Sequence, residues 1–213
     1  MPAPFGCPVC GQSLRSPGPC PNRWCGRADR GFSVAFAVGV HQGALRRAIV
    51  DYKYRGRRQW AEVFARLMAA HLAAHATWFE EFDILAAMPA WLGPGSRRTW
   101  DPVGEILGRL GALVEPGWDV VPGAVVKREE TPAMSGRSRI DRLAIASGPL
   151  RRSLLVPEPP AVAGARVVVV DDVLTEGSSL REVARALRRA GAREVAGLVL
   201  ARPPRRDGDK RSG

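Results

Sequence analysis

The sequence predicts an α/β fold, a parallel sheet flanked by helices, and three observations carry that expectation. Val167 to Val170 is a continuous β-branched run, the pattern of a strand covered on both faces. Ser178 to Ala190 then places Leu180, Val183, Ala184 and Leu187 on one helical face, Gly191 stands where the helix should stop, and Val195 to Leu200 reads as a second strand. Strand, helix and strand in that order form a βαβ unit, which requires parallel pairing and a right-handed crossover. The third observation is a change of composition. All four cysteines lie within the first thirty residues, among Pro2, Pro4, Pro8, Pro17, Pro19 and Pro21. The expected organisation is a small cysteine module (1–30), one α/β domain (31–202) and a disordered basic tail (203–213).

The other elements follow in order. Gly31 to Val40 is a short apolar run, and Ala44 to Arg58 is basic and partly helical, with Leu45 and Ile49 four residues apart. Trp60, Phe64, Leu67, Met68 and Leu72 recur at three- and four-residue steps, so an amphipathic helix of about four turns should bury that face. Phe82 to Met88 reads as a strand ended by Pro89, and Pro89 to Asp101 as a loop. Val103, Ile106, Leu107 and Leu110 mark another helix, and Gly117 to Val126 a short strand region. Glu129 to Ile145 is expected to be part loop and part helix, and from Arg202 onward the chain has no apolar content.

Bulk properties narrow the class. A chain of 213 residues has room for one well-buried domain and an appendage, and 46% hydrophobic with 25% charged residues excludes a disordered or fibrous protein. Lys and Arg number 32 against 21 acids, a net charge of +11 that draws phosphates, nucleotides or nucleic acid. The six tryptophans could stack bases, although core and loop anchoring is the commoner use. No window approaches the ~18 to 20 apolar residues of a membrane span, and Met1 to Gly6 does not read as a signal peptide, so a cytoplasmic protein is expected. In a reducing compartment the cysteines read as metal ligands rather than disulfides. Cys7 and Cys10, with Cys20 and Cys25, form two pairs suited to a tetrahedral, structural Zn²⁺ that staples a module too small for its own core. His71 and His75 are a weaker second pair, more simply read as a polar flank of their helix.

A ligand of an open α/β sheet binds at the carboxyl ends of the strands. There Asp171 and Asp172 offer two carboxylates to sugar hydroxyls or a hydrated Mg²⁺. Thr175, Glu176, Gly177, Ser178 and Ser179 wrap into the start of the next helix, where free N–H groups and the dipole favour a phosphate. Gly177 lets the backbone approach closely.

The run Val-Val-Val-Val-Asp-Asp-Val-Leu-Thr-Glu-Gly-Ser-Ser over 167–179 resembles the signature of the type I phosphoribosyltransferases. That resemblance implies that Asp171 and Asp172 contact the ribose hydroxyls of phosphoribosyl pyrophosphate and that Thr175 to Ser179 hold its 5-phosphate. Glu176 departs from the small or hydroxyl residue common there; its carboxylate must point outward or it repels the phosphate. The wider organisation is similar to the ComF family: the cysteine module, the segment Tyr52 to Gly56, a strand ending in Pro and the Arg-containing stretch Arg97 to Asp101 precede the signature. Two functions follow from these resemblances. One is Mg²⁺-dependent transfer of the phosphoribosyl group to an unidentified acceptor, a glycosyltransferase reaction. The other is a non-catalytic accessory role in DNA uptake and recombination, binding single-stranded DNA or a nucleotide ligand beside competence or recombination proteins. The transfer needs positioning and charge neutralisation more than a single catalytic acid or base. Lys53, Arg55, Arg97 and Arg98 are the candidate pyrophosphate ligands, and Lys127, Arg128, Arg137 and Arg139 could close over the site.

Overall fold

In a computed structural model, which describes residues 5–14, 16–22, 24–96, 99–134 and 136–204, the chain begins with a two-residue antiparallel pair, β1 (Phe5–Gly6) and β2 (Ser13–Leu14). There follow β3 (Ala35–Val40), α1 (Gly43–Tyr54), α2 (Trp60–Ala74), the short α3 (Ala76–Phe79), β4 (Ile84–Ala87), α4 (Pro102–Gly111), β5 (Asp119–Val121) and β6 (Val126–Lys127). α5 (Arg139–Ile145) continues through a π-helical turn at Ala146–Leu150 into α6 (Arg151–Ser153) and β7 (Leu154–Leu155). The chain then enters β8 (Arg166–Val173), α7 (Ser178–Arg189) and β9 (Glu194–Arg202).

Five strands form one sheet in the order β3-β9-β8-β4-β5, and every neighbouring pair is parallel. Helices cover both faces, as the apolar run of β8 demands. Val168 and Val170 join the cluster built with α1, α2 and α4, whereas Val167 and Val169 join Leu180, Val183 and Leu187 of α7. All four valines are fully buried, each contributing about 1.5–3 kcal/mol relative to exposure. From β4 the chain runs through α4 outward to β5; from β8 it runs through α7 outward the other way to β9. The order of connections therefore reverses between β4 and β8, and in open α/β sheets ligands bind outside the carboxyl ends of the strands at such a point.

The structure refines the sequence expectations at four points. Asp171 and Asp172 do not follow the strand but belong to it, because β8 continues its pairing with β9 as far as Val173 opposite Ala201. Arg202, in a stretch without apolar content, nevertheless ends β9, is buried, and donates from Nε to Gln12 Oε1 at 2.9 Å. Its polar partner lies 190 positions away, so composition alone could not show it as core. Leu67 is 40% exposed, since α2 turns its small residues Ala61 and Ala65 inward beside Phe64, Met68 and Leu72, and α4 packs close. His71 and His75 stack on each other with ring centroids 4.3 Å apart, and His75 Nδ1 lies 2.9 Å from the His71 carbonyl, an arrangement of packing rather than of metal ligation. Trp24 is buried, while Trp60, Trp100 and Trp118 pack against the larger core, which accounts for most of the tryptophans as anchors.

The cysteine-bearing segment lies against α7 and the loop before it. Arg181 of α7 sits 4.2 Å over the Trp24 ring, donates to Asp29 at 3.1 Å and pairs with the fully buried Glu182 at 2.9 Å, which Arg151 also engages at 2.7 Å. Phe32 packs beside Gly177, so the segment reaches the start of the helix. Among the described residues, no helix is long and apolar enough to cross a membrane.

Candidate functional site

Strand periodicity decides where the two carboxylates go. Side chains alternate along β8, so Asp172 shares the face of Val168 and Val170, on which α1 packs. Lys53, in the last turn of α1, meets it there: its Nζ forms an ion pair with Asp172 Oδ2, and both side chains are largely buried, 16% and 7% exposed. Burial pulls the Lys53 ammonium toward neutrality, but the charges of Asp172 and then Asp171 outweigh it and raise its pKa. Lys53 stays charged. Asp171 faces the α7 side, and its Oδ1 accepts the Asp172 N–H at 2.8 Å, which fixes the corner. His41, at the end of β3, has its pKa lowered by burial and by Arg46, while Asp172 opposes the shift.

The loop after β8 leads into the N-terminus of α7. Leu174 N–H bonds the Ala201 carbonyl at 3.1 Å, holding the loop's base to the sheet. Gly177 has φ +88°, a left-handed conformation that favours glycine, and the first helical bond runs from Arg181 N–H to the Gly177 carbonyl at 2.9 Å. The amides of Ser178, Ser179 and Leu180 thus precede the helical ladder and point out of the N-terminus of a twelve-residue helix. Ser178 is 7% exposed, and its buried Oγ has no hydrogen-bond partner among the described residues. A buried hydroxyl without a partner costs about 1–3 kcal/mol, so its presence beside amides outside the helical ladder is what a ligand site would explain.

Glu176 turns away from this nest. Its Oε1 accepts from Arg142 Nη2 at 3.1 Å and lies 3.5 Å from Arg139 Nε, both on α5. Arg142 in turn donates to the Arg137 carbonyl at 2.6 Å. Two guanidiniums answer one carboxylate, so the loop's electrostatic balance is favourable to an anion despite Glu176. Its backbone carbonyl accepts from Asn22 Nδ2 of the cysteine segment at 3.1 Å.

Of the candidate pyrophosphate ligands among the described residues, Lys53 and not Arg55 is placed at the acids. Arg55 bonds Asp51 at 2.9 Å with its side chain 71% exposed, and Arg97 and Arg98 lie outside the described residues. Lys127 bonds Thr131 and Arg128 bonds the Arg152 carbonyl, whereas Arg139 reaches the loop. Asn22, Arg142 and His41 carry no sequence signal; each comes to the site by long-range packing.

The sulfur atoms of Cys7, Cys10, Cys20 and Cys25 all lie within 4.8 Å of one another. Cys7 to Cys25 and Cys10 to Cys20 are each 3.7 Å apart, far beyond a disulfide bond. A tetrahedron with Zn–S bonds of about 2.3 Å has edges of roughly 3.8 Å, so the spacing and the donor set fit zinc. Hydrogen bonds from Cys20 and then Cys25 hold the Cys10 thiol far below its usual range, with the Arg202 charge assisting, and the same contacts push Cys20 and Cys25 up. One thiolate is thus already favoured, and a bound cation would displace the remaining protons.

Comparison with known proteins finds phosphoribosyltransferases. Residues 125–213, less than half of the chain, match the family model described as "Phosphoribosyl transferase domain", and this part of the protein is phosphoribosyltransferase-like. A curated relative, an orotate phosphoribosyltransferase of a Nocardioides species, is 52% identical over 44 residues, 21% of this chain and 24% of its own length. Among solved structures, the orotate phosphoribosyltransferase of Mycobacterium tuberculosis is similar at TM-score 0.35 and 19% identity, covering 74% of this chain and 66% of that one. A hypoxanthine phosphoribosyltransferase of Staphylococcus aureus gives TM-score 0.38 and 11% identity over 70% of each chain. The allosteric regulatory enzyme of purine biosynthesis gives 0.38 and 21% identity, covering 65% of this chain and 25% of that one.

Proposed function

We propose that this protein binds phosphoribosyl pyrophosphate with Mg²⁺ and transfers its phosphoribosyl group to an acceptor. The observation that carries the reading is the buried Ser178 Oγ, without a hydrogen-bond partner among the described residues, at the N-terminus of α7, in the loop that follows the Asp171 and Asp172 carboxylates of β8. In this reading the 5-phosphate rests on the amides of Gly177 to Leu180 and on the Thr175, Ser178 and Ser179 hydroxyls. The ribose hydroxyls bond Asp171 and Asp172, with Lys53 holding Asp172 in place. Mg²⁺, when bound, supplies charge neutralisation to the departing pyrophosphate. Departure of that group leaves positive charge on the ribose ring, which carboxylates beneath it stabilise; positioning accounts for the rest of the rate.

The ComF kinship belongs to the same proposal, supported by the cysteine cluster and by Lys53, from the Tyr52–Gly56 segment, standing at the acids. Zinc is the proposed occupant of the cysteine cluster. Calorimetric titration with phosphoribosyl pyrophosphate and Mg²⁺ tests the reading. Saturable binding is expected in the wild type and a loss of at least tenfold in Asp171→Ala, whereas equal binding by both would refute the assignment. Product formation across a panel of bases separates an enzyme from a ligand-binding accessory protein of DNA uptake, which would bind without turnover.

A further inference from the structure

The cysteine segment touches the phosphate loop at a position that stereochemistry makes consequential. Asn22 Nδ2 donates to the Glu176 carbonyl at 3.1 Å, across 154 positions of sequence. That carbonyl shares a peptide unit with the Gly177 N–H, and in a trans peptide the two point in opposite directions. Holding the carbonyl toward the cysteine segment therefore aims the Gly177 N–H away from that segment, at the N-cap position of α7. Gly177 at φ +88° is the residue about which this peptide would otherwise turn freely.

Asn22 is itself fixed on both sides. Its Oδ1 accepts from the Trp24 N–H at 3.2 Å, its own N–H lies 3.4 Å from Cys20 Sγ, and its carbonyl accepts from the Cys25 N–H at 3.0 Å. The asparagine thus sits between two candidate metal ligands and the phosphate loop. We propose that Asn22 is a positioning residue that presets the Gly177 peptide for the 5-phosphate, and that the filled cysteine cluster holds Asn22 in that role.

The inference rests on the phosphoribosyl reading, and the experiment separates the two. Asn22→Asp keeps the acceptor for Trp24 but replaces the donor with an oxygen facing the Glu176 carbonyl. Titration of wild type and variant with ribose 5-phosphate, and with phosphoribosyl pyrophosphate plus Mg²⁺, is read beside metal content and melting temperature. Affinity for both ligands should fall about tenfold or more, with metal content and melting temperature unchanged. Asn22→Ala should fall in the same direction, by less. Wild-type affinity in Asn22→Asp overturns the proposal, and so does a loss of affinity that tracks loss of metal or of folding, which would make the role structural. If the wild type binds neither ligand, the phosphoribosyl reading itself fails.

Discussion

Glu176 places a negative charge in the turn that opens α7, where the helix dipole stabilises a carboxylate but the carboxylate repels any anionic ligand. The ion pairs with Arg142 and Arg139 reconcile the residue with the site. Arg142→Ala leaves the carboxylate with its weaker partner and should lower affinity for ribose 5-phosphate about tenfold, which corresponds to about 1.4 kcal/mol. Adding Glu176→Thr to the same chain should restore it, as measured by calorimetry. An unchanged affinity in Arg142→Ala would show that Glu176 does not sense the ligand. The oddity of Glu176 is legible in the sequence, and its partner is not. Arg142 lies 34 positions upstream on a short helix, and nothing in its local pattern marks it apart from the arginines around it.

At the scale of the element, β8 and α7 are the segments whose sequence is most nearly sufficient. Their apolar positions have one consistent period each, and burial on both faces of the sheet follows from it. The boundary between strand and loop was less legible, because paired acids resemble a turn until a lysine from another helix is known to meet one of them. α2 shows a different limit. His71 packs among Phe36 and His75, its Nε2 is buried without a hydrogen-bond partner among the described residues, and burial followed by the nearby His75 charge lowers its pKa to about 4. The unfolded chain takes up the proton near the ordinary value of 6.5, so it binds more protons than the native state between about 4 and 6.5. This contribution to stability is fully present above pH 6.5 and is lost as the pH falls toward 4. Melting curves between pH 7 and pH 4.5 should show a decline that is shallower in His71→Phe, and parallel declines would remove His71 as the cause.

Over the whole molecule, the cysteine segment acts as a brace between the carboxyl end of β9 and α7. Gln12 bonds the end of β9, Arg181 stacks on Trp24, and Asn22 grips the loop. Cys7, Cys10, Leu14 and Trp24 are the buried apolar residues of that brace, a small core on its own. Stripping zinc with a strong chelator should therefore lower the melting temperature by several degrees, and readdition should restore it. A protein purified without bound metal whose melting is indifferent to zinc would exclude that role. The excess of positive charge is partly engaged within the fold: Arg55, Arg58, Arg66, Arg109, Arg151 and Arg166 all pair with acids.

The sequence by itself determined the α/β class, the course of β8, α7 and β9, and the residue types of the candidate phosphate and metal sites. Those depend on local period and on chemistry carried by neighbouring positions. Only the tertiary structure decided that Lys53 meets Asp172, that Arg142 and Arg139 answer Glu176, and that Asn22 joins the cysteine cluster to the loop between β8 and α7. Each of these contacts links distant stretches of chain through the packing of helices and segments around one parallel sheet. Local spacing does not encode such contacts, so Val167 to Leu180 could be read as a site before its supports were known.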